Sequence, residues 1–86
     1  MAHHVDFSVG AIRQFRKLPE SIRTRLAPHI QALAGNPRPA GSKKLMGAEG
    51  YRLRVDDNRI LYEIHDDTSS VLIVQAGHRR EVYRGH

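Results

Sequence analysis

The 86-residue sequence is 40% hydrophobic, contains no cysteine, and sets 14 Lys+Arg against 9 Asp+Glu for a formal charge of +5 with histidines neutral. A domain of this size buries only about 60–65% of the surface its unfolded chain exposes, and neither a disulfide nor a thiolate metal site can reinforce its thin core. The longest apolar run, Val71–Val74, is far short of the roughly 20 residues of a membrane helix, and MAHHVDFS lacks the cationic and apolar regions of a secretory signal. Residues 1–86 are therefore expected to form one cytoplasmic domain with no membrane partner, whose charge favours nucleic acid, a ribosome or an acidic protein.

Val5 and Phe7 alternate with His4, Asp6 and Ser8, the period of a short half-buried strand. Ser8 can cap the helix that follows, in which Ala11, Ile12, Phe15 and Leu18 take one face and Arg13, Gln14, Arg16 and Lys17 the other. Pro19 marks its stop. Ser21 restarts a second helix with the stripe Ile22, Leu26, Ile30 and Leu33, closed by Gly35-Asn36-Pro37. Pro28 within that stripe removes the hydrogen bond to the Thr24 carbonyl, at about 3 kcal/mol, and predicts a kink or a break near Ala27. The stretch GNPRPAGSKK at residues 35–44 has no periodicity and reads as an exposed loop with three cations.

From Gly50 the period changes to two. Tyr51-Arg52-Leu53-Arg54-Val55 alternates, Asp56-Asp57-Asn58 supplies a turn, and Arg59-Ile60-Leu61-Tyr62-Glu63-Ile64 alternates again. After a second turn at Asp66-Asp67-Thr68-Ser69, Val71–Val74 reads as a central strand covered on both faces, with a short buried helix as the alternative. The predicted class is α+β: an N-terminal strand, an αα-hairpin, then a three-stranded antiparallel meander, with the helices packed on one face of a single sheet.

Alternation assigns Tyr51, Leu53, Val55, Ile60, Tyr62 and Ile64 to the helices. Arg52, Arg54 and Arg59 are left together on the open face, joined there by Leu61 and Glu63. Basic residues there guard a sheet against aggregation, yet like charges set opposite one another destabilise it, so their concentration points to an anionic ligand. Guanidinium forks suit phosphates. The closing segment AGHRREVYRGH adds His78, an imidazole and so a candidate proton carrier, Arg79, Arg80, Arg84, and Tyr83, whose ring can stack on a base.

Taken in order, VDFS, the hairpin ending in NPRP, KKLMG, YRLRV-DDNRILYEI and VLIVQAGHRREVY resemble the RelE toxin family of bacterial toxin–antitoxin systems over nearly the whole chain. The resemblance implies a RelE-like fold and an endoribonuclease that cuts messenger RNA in the ribosomal A site by attack of a 2′-hydroxyl on the adjacent phosphate, without a metal or other cofactor. Carried over by position, the functional basic pair falls on Arg52 and Arg54, the phosphate-binding arginine on Arg59, the C-terminal catalytic arginine on Arg79, and the tyrosine on Tyr83. Lys43, Lys44, Arg52, Arg59, Arg80 and Arg84 are the expected contacts to mRNA, rRNA and the ribosome. A RelB-like antitoxin, acidic and partly disordered, is the implied neutralising partner in a hetero-oligomer.

Two departures from the family pattern matter. RelE has lysines where this chain has Arg52 and Arg54, and an arginine stays protonated, so their expected role is electrostatic and the general base is open between His78 and Tyr83. Asn58 stands where many members place an aromatic residue. The alternatives are a ParE-like, non-enzymatic inhibitor of DNA gyrase, whose relatives usually lack the histidine, arginine and tyrosine combination, and an inactive RNA-binding domain.

Overall fold

Ser8 turns the chain from its first strand into its first helix: its Oγ accepts the Ala11 N–H at 3.1 Å, satisfying a donor that the helix itself leaves open. The computed structural model describes residues 3–45 and 50–78. Its elements in chain order are β1 (His4–Phe7), α1 (Val9–Lys17), α2 (Glu20–Ala32), β2 (Ser42–Lys44), β3 (Gly50–Val55), β4 (Asn58–His65), a 3-10 turn (Asp66–Thr68) and β5 (Ser70–His78). They form one mixed five-stranded sheet in the order β1-β5-β4-β3-β2, with β1 parallel to β5 and every other pairing antiparallel. The class is the predicted α+β, with the β3-β4-β5 meander at its centre.

The second helix starts one residue before Ser21, which is not its cap. The Pro19 carbonyl accepts the Ile22 and Arg23 N–H groups at 3.0 Å each, and Glu20 brings a negative charge to the first turn. Nor does Pro28 break it, since α2 runs unbroken from Glu20 to Ala32. The ring lies on the exposed side, while Leu26 and Ile30 on either flank are buried. Burying two such side chains contributes about 1.5–3 kcal/mol each, enough to offset the proline.

The core joins Ala11 and Leu18 from the first helical segment, Leu26, Ile30 and Leu33 from the second, and the sheet residues Leu53, Val55, Ile60, Tyr62, Ile64, Val71, Ile73 and Ala76. Tyr62 is the largest fully buried side chain. Burial raises the pKa of its phenol. Its Oη donates to the Pro37 carbonyl at 2.8 Å, and its ring stacks on Tyr51 at 5.9 Å, so the 35–41 connection is tied to the sheet.

Two features were absent from the sequence reading. Residues 42–44, expected to be loop, form β2 on the edge of β3: Gly41 takes φ 93°, a backbone that favours glycine, and the Pro39 carbonyl accepts both the N–H and the Oγ–H of Ser42. The second is a bulge. Leu61 pairs with Gln75 but Tyr62 pairs with Ile73, leaving Val74 as an extra residue. The Ala76 N–H, just past the bulge, donates to Gln14 Oε1 of α1 at 3.1 Å. That extra residue inverts the alternation, so Ala76 and His78 fall opposite Ile60 and Asn58, on the helix side.

Candidate anion-binding face

Strand register assembles the cationic surface. Arg54 lies opposite Arg59, which lies opposite Gly77 across the next strand pair. In the neighbouring row Lys43 lies opposite Arg52, Arg52 opposite Leu61, and Leu61 opposite Gln75. Directly paired residues share a face, so Lys43, Arg52, Arg54 and Arg59 present four cations on the side away from the helices. Gly41, Lys43, Arg52 and Arg54 line a depression of about 310 Å³ that contains no carboxylate.

The three arginines are not equivalent. Arg54 is exposed and Arg52 half-buried, whereas Arg59 is 7% exposed, as is Leu61 beside it on a face expected to be open. No carboxylate of the described residues stands within ion-pair distance of Arg52 or Arg54. Gly77, opposite Arg59, takes φ 155°; the apolar run ends on a glycine because an L side chain rarely adopts that backbone.

Two expected members lie elsewhere. Lys44 pairs with Tyr51 and His78 with Asn58, so both side chains belong to the helix side of the sheet. For Lys44 the cause is simple alternation along β2; for His78 it is the Val74 bulge. Arg79, Arg80, Tyr83 and Arg84 lie outside the described residues.

Some residues acquire roles that no sequence pattern signalled. Arg38, counted as a loop cation, is bound to structure: its Nε donates to Tyr51 Oη at 3.1 Å, its Nη2 to Asp66 Oδ2 at 2.8 Å, and its guanidinium lies 5.4 Å from the Tyr51 ring centre. His3 Nε2 lies 3.1 Å from the other oxygen of Asp66. Arg38 above all, and then His3, hold the Asp66 carboxyl below the usual carboxylate range. At the opposite end of the sheet Arg25 of α2 grips Asp56 in the β3–β4 turn, Nε to Oδ2 at 2.7 Å and Nη2 to Oδ1 at 3.3 Å, lowering that carboxyl as well. These contacts join residues 28 and 31 positions apart, beyond the reach of local pattern.

Among the described residues, no group of three His, Asp or Glu side chains is arranged to hold a metal ion, and no helix is long and apolar enough to cross a membrane. What the face can do is bind a polyanion, by charge and by paired guanidinium hydrogen bonds.

The family model for the ParE toxin of the type II toxin–antitoxin system parDE matches residues 5–83. The mRNA interferase toxin RelE of Escherichia coli (strain K12) is 26% identical over 87 aligned positions, covering 96% of this chain and 92% of that protein. Among solved structures, the toxin–antitoxin complex RelBE2 from Mycobacterium tuberculosis matches with a TM-score of 0.81 and 28% identity, covering 92% of this chain and 100% of the matched one. The intact E. coli RelBE complex matches with a TM-score of 0.78 and 25% identity, over 90% of this chain and 96% of the matched one. The family match and the fold together define a type II toxin with the RelE-like α+β architecture. The chain belongs to the RelE/ParE toxin superfamily.

Proposed function

We propose that this toxin is a ribosome-dependent mRNA interferase. The observation that carries the reading is the gathering of Lys43, Arg52, Arg54 and Arg59 on one sheet face, bordered by the strand that leads into Arg79 and Tyr83. The naming of its E. coli relative as an mRNA interferase supports it. In this reading the 2′-hydroxyl of the codon attacks the adjacent phosphorus, the P–O5′ bond breaks, and a cyclic phosphate and a free 5′-hydroxyl result. The hydroxyl proton passes to a base and a proton is returned to the 5′-oxygen. Arg52, Arg54 and Arg59 act electrostatically, together with Arg79, on the charge that develops on the phosphoryl oxygens. No step calls for a metal. Since register places His78 on the other side of the sheet, the reading assigns the proton to Tyr83. Lys43, Arg80 and Arg84 contact mRNA or rRNA.

Both solved structures described above are toxin–antitoxin complexes, and by analogy a RelB-like antitoxin neutralises this chain in a hetero-oligomer. A second reading, ParE-like inhibition of DNA gyrase, is favoured by one observation: the family model that matches is that of ParE. The test adds purified toxin to ribosomes programmed with a defined A-site codon and maps the mRNA ends, with naked RNA and Arg79→Ala in parallel. Cutting that needs both the ribosome and Arg79 is the expected result. No cutting on any codon, with loss of gyrase supercoiling, would replace this reading by the second.

A further inference from the structure

A cationic face receives a phosphate only while the chain's own carboxylates are kept from it. Glu63 shares the face and lies 3.0 Å from His65 Nε2; beside Arg54 the carboxylates are those of the turn, where Asp56 and Asp57 stand between Arg54 and Arg59 in sequence and the four residues border one small depression. Asp56 sits at φ 56°, a left-handed backbone that aspartate tolerates. Its carboxylate is engaged by both donors of the Arg25 fork from α2, at 2.7 and 3.3 Å. Arg25 and Asp56 are both more than half exposed, with side chains 60% and 55% accessible, so their pair adds little to fold stability. Its geometry has a different consequence.

We propose that Arg25 is a positioning residue for the anion site: by holding Asp56 against α2 it keeps that carboxylate from pairing with Arg54, and leaves Arg54 for an RNA phosphate. The inference rests on the reading of this face as an RNA site. Without Arg25, Asp56 is two residues from Arg54 on a hairpin turn, with no other guanidinium described on it, and an internal carboxylate at contact distance competes with every incoming phosphate.

The experiment measures binding of a 5′-labelled single-stranded RNA oligonucleotide to the full chain by fluorescence anisotropy, with a melting curve for each variant. Arg25→Ala is expected to raise Kd about fivefold, the factor that one opposite charge at contact distance in water corresponds to. Arg25→Ala combined with Asp56→Asn restores wild-type affinity. Arg25→Ala combined with Glu20→Gln has the same net charge but retains Asp56, and stays weak. Wild-type affinity in Arg25→Ala, or equal rescue by Glu20→Gln, overturns the proposal while Arg54→Gln still weakens binding. If Arg54→Gln binds RNA as the wild type does, the reading of the face fails, and the role of Arg25 fails with it.

Discussion

Arg54→Gln should make the protein more stable and less able to bind RNA. Arg54 and Arg59 are directly opposed across β3 and β4, a placement in which like charges destabilise a sheet by about 0.2–1 kcal/mol. Glutamine keeps most of the length of the exposed Arg54 side chain and removes its charge. For a domain of 60–100 residues, each kcal/mol moves Tm by about 4–8 °C, so an increase of about 1–8 °C is expected. The gain should shrink with salt, because the screening length falls from about 10 Å at 0.1 M to about 3 Å at 1 M. Thermal unfolding at both salt concentrations, beside RNA binding at the lower one, measures the two effects together. A lower Tm at both salts, or a higher Tm with undiminished RNA binding, would refute the argument that this charge is retained for a ligand at the expense of the fold.

Tyr62→Phe removes the hydrogen bond to the Pro37 carbonyl while keeping the buried ring; urea unfolding should show a loss of about 0.5–1.5 kcal/mol, with an unchanged slope. Acid should destabilise the protein partly through Asp66, whose carboxyl is held down chiefly by Arg38. A carboxyl with a lower pKa in the folded than in the unfolded state adds stability above its unfolded value, near 4, and loses it as pH falls through the folded one. Unfolding free energies measured from pH 7 down to pH 2 should therefore fall below about pH 4, and Arg38→Met should flatten that limb.

The parts of the fold that follow a local period were legible in the sequence. Alternation in Tyr51–Val55 and Arg59–Ile64 placed the core-facing residues correctly, and Leu53, Val55, Ile60, Tyr62 and Ile64 are buried as that pattern requires. Ser8 was legible because capping needs a hydroxyl at one fixed offset. The three-residue β2 was not, since so short a strand has no period and its pairing is set by the edge of β3. The break allowed for at Pro28 does not occur, because propensity is local while the burial of Leu26 and Ile30 that outweighs it is tertiary.

Within the candidate site, the shared face of Arg52, Arg54 and Arg59 followed from alternation alone. The position of His78 did not, because an extra residue at Val74 inverts the count and no residue type announces a bulge. The hydrogen bond from Ala76 to Gln14, 62 positions away, belongs to the same class of information. So do Arg25–Asp56 and Arg38–Asp66, which turn apparently spare cations into parts of the scaffold.

The central claim, that the arginine face acts on the phosphate of ribosome-bound RNA, is tested most directly by the chemistry of the cut ends. Programmed ribosomes are treated with wild-type toxin or with Arg54→Gln, whose fold is verified by melting, and the 3′ ends of the mRNA fragments are analysed. The account predicts a cyclic phosphate terminus within the A-site codon from the wild type and a large loss of cutting from Arg54→Gln. Undiminished cutting by Arg54→Gln, or 3′-hydroxyl ends from the wild type, would contradict it.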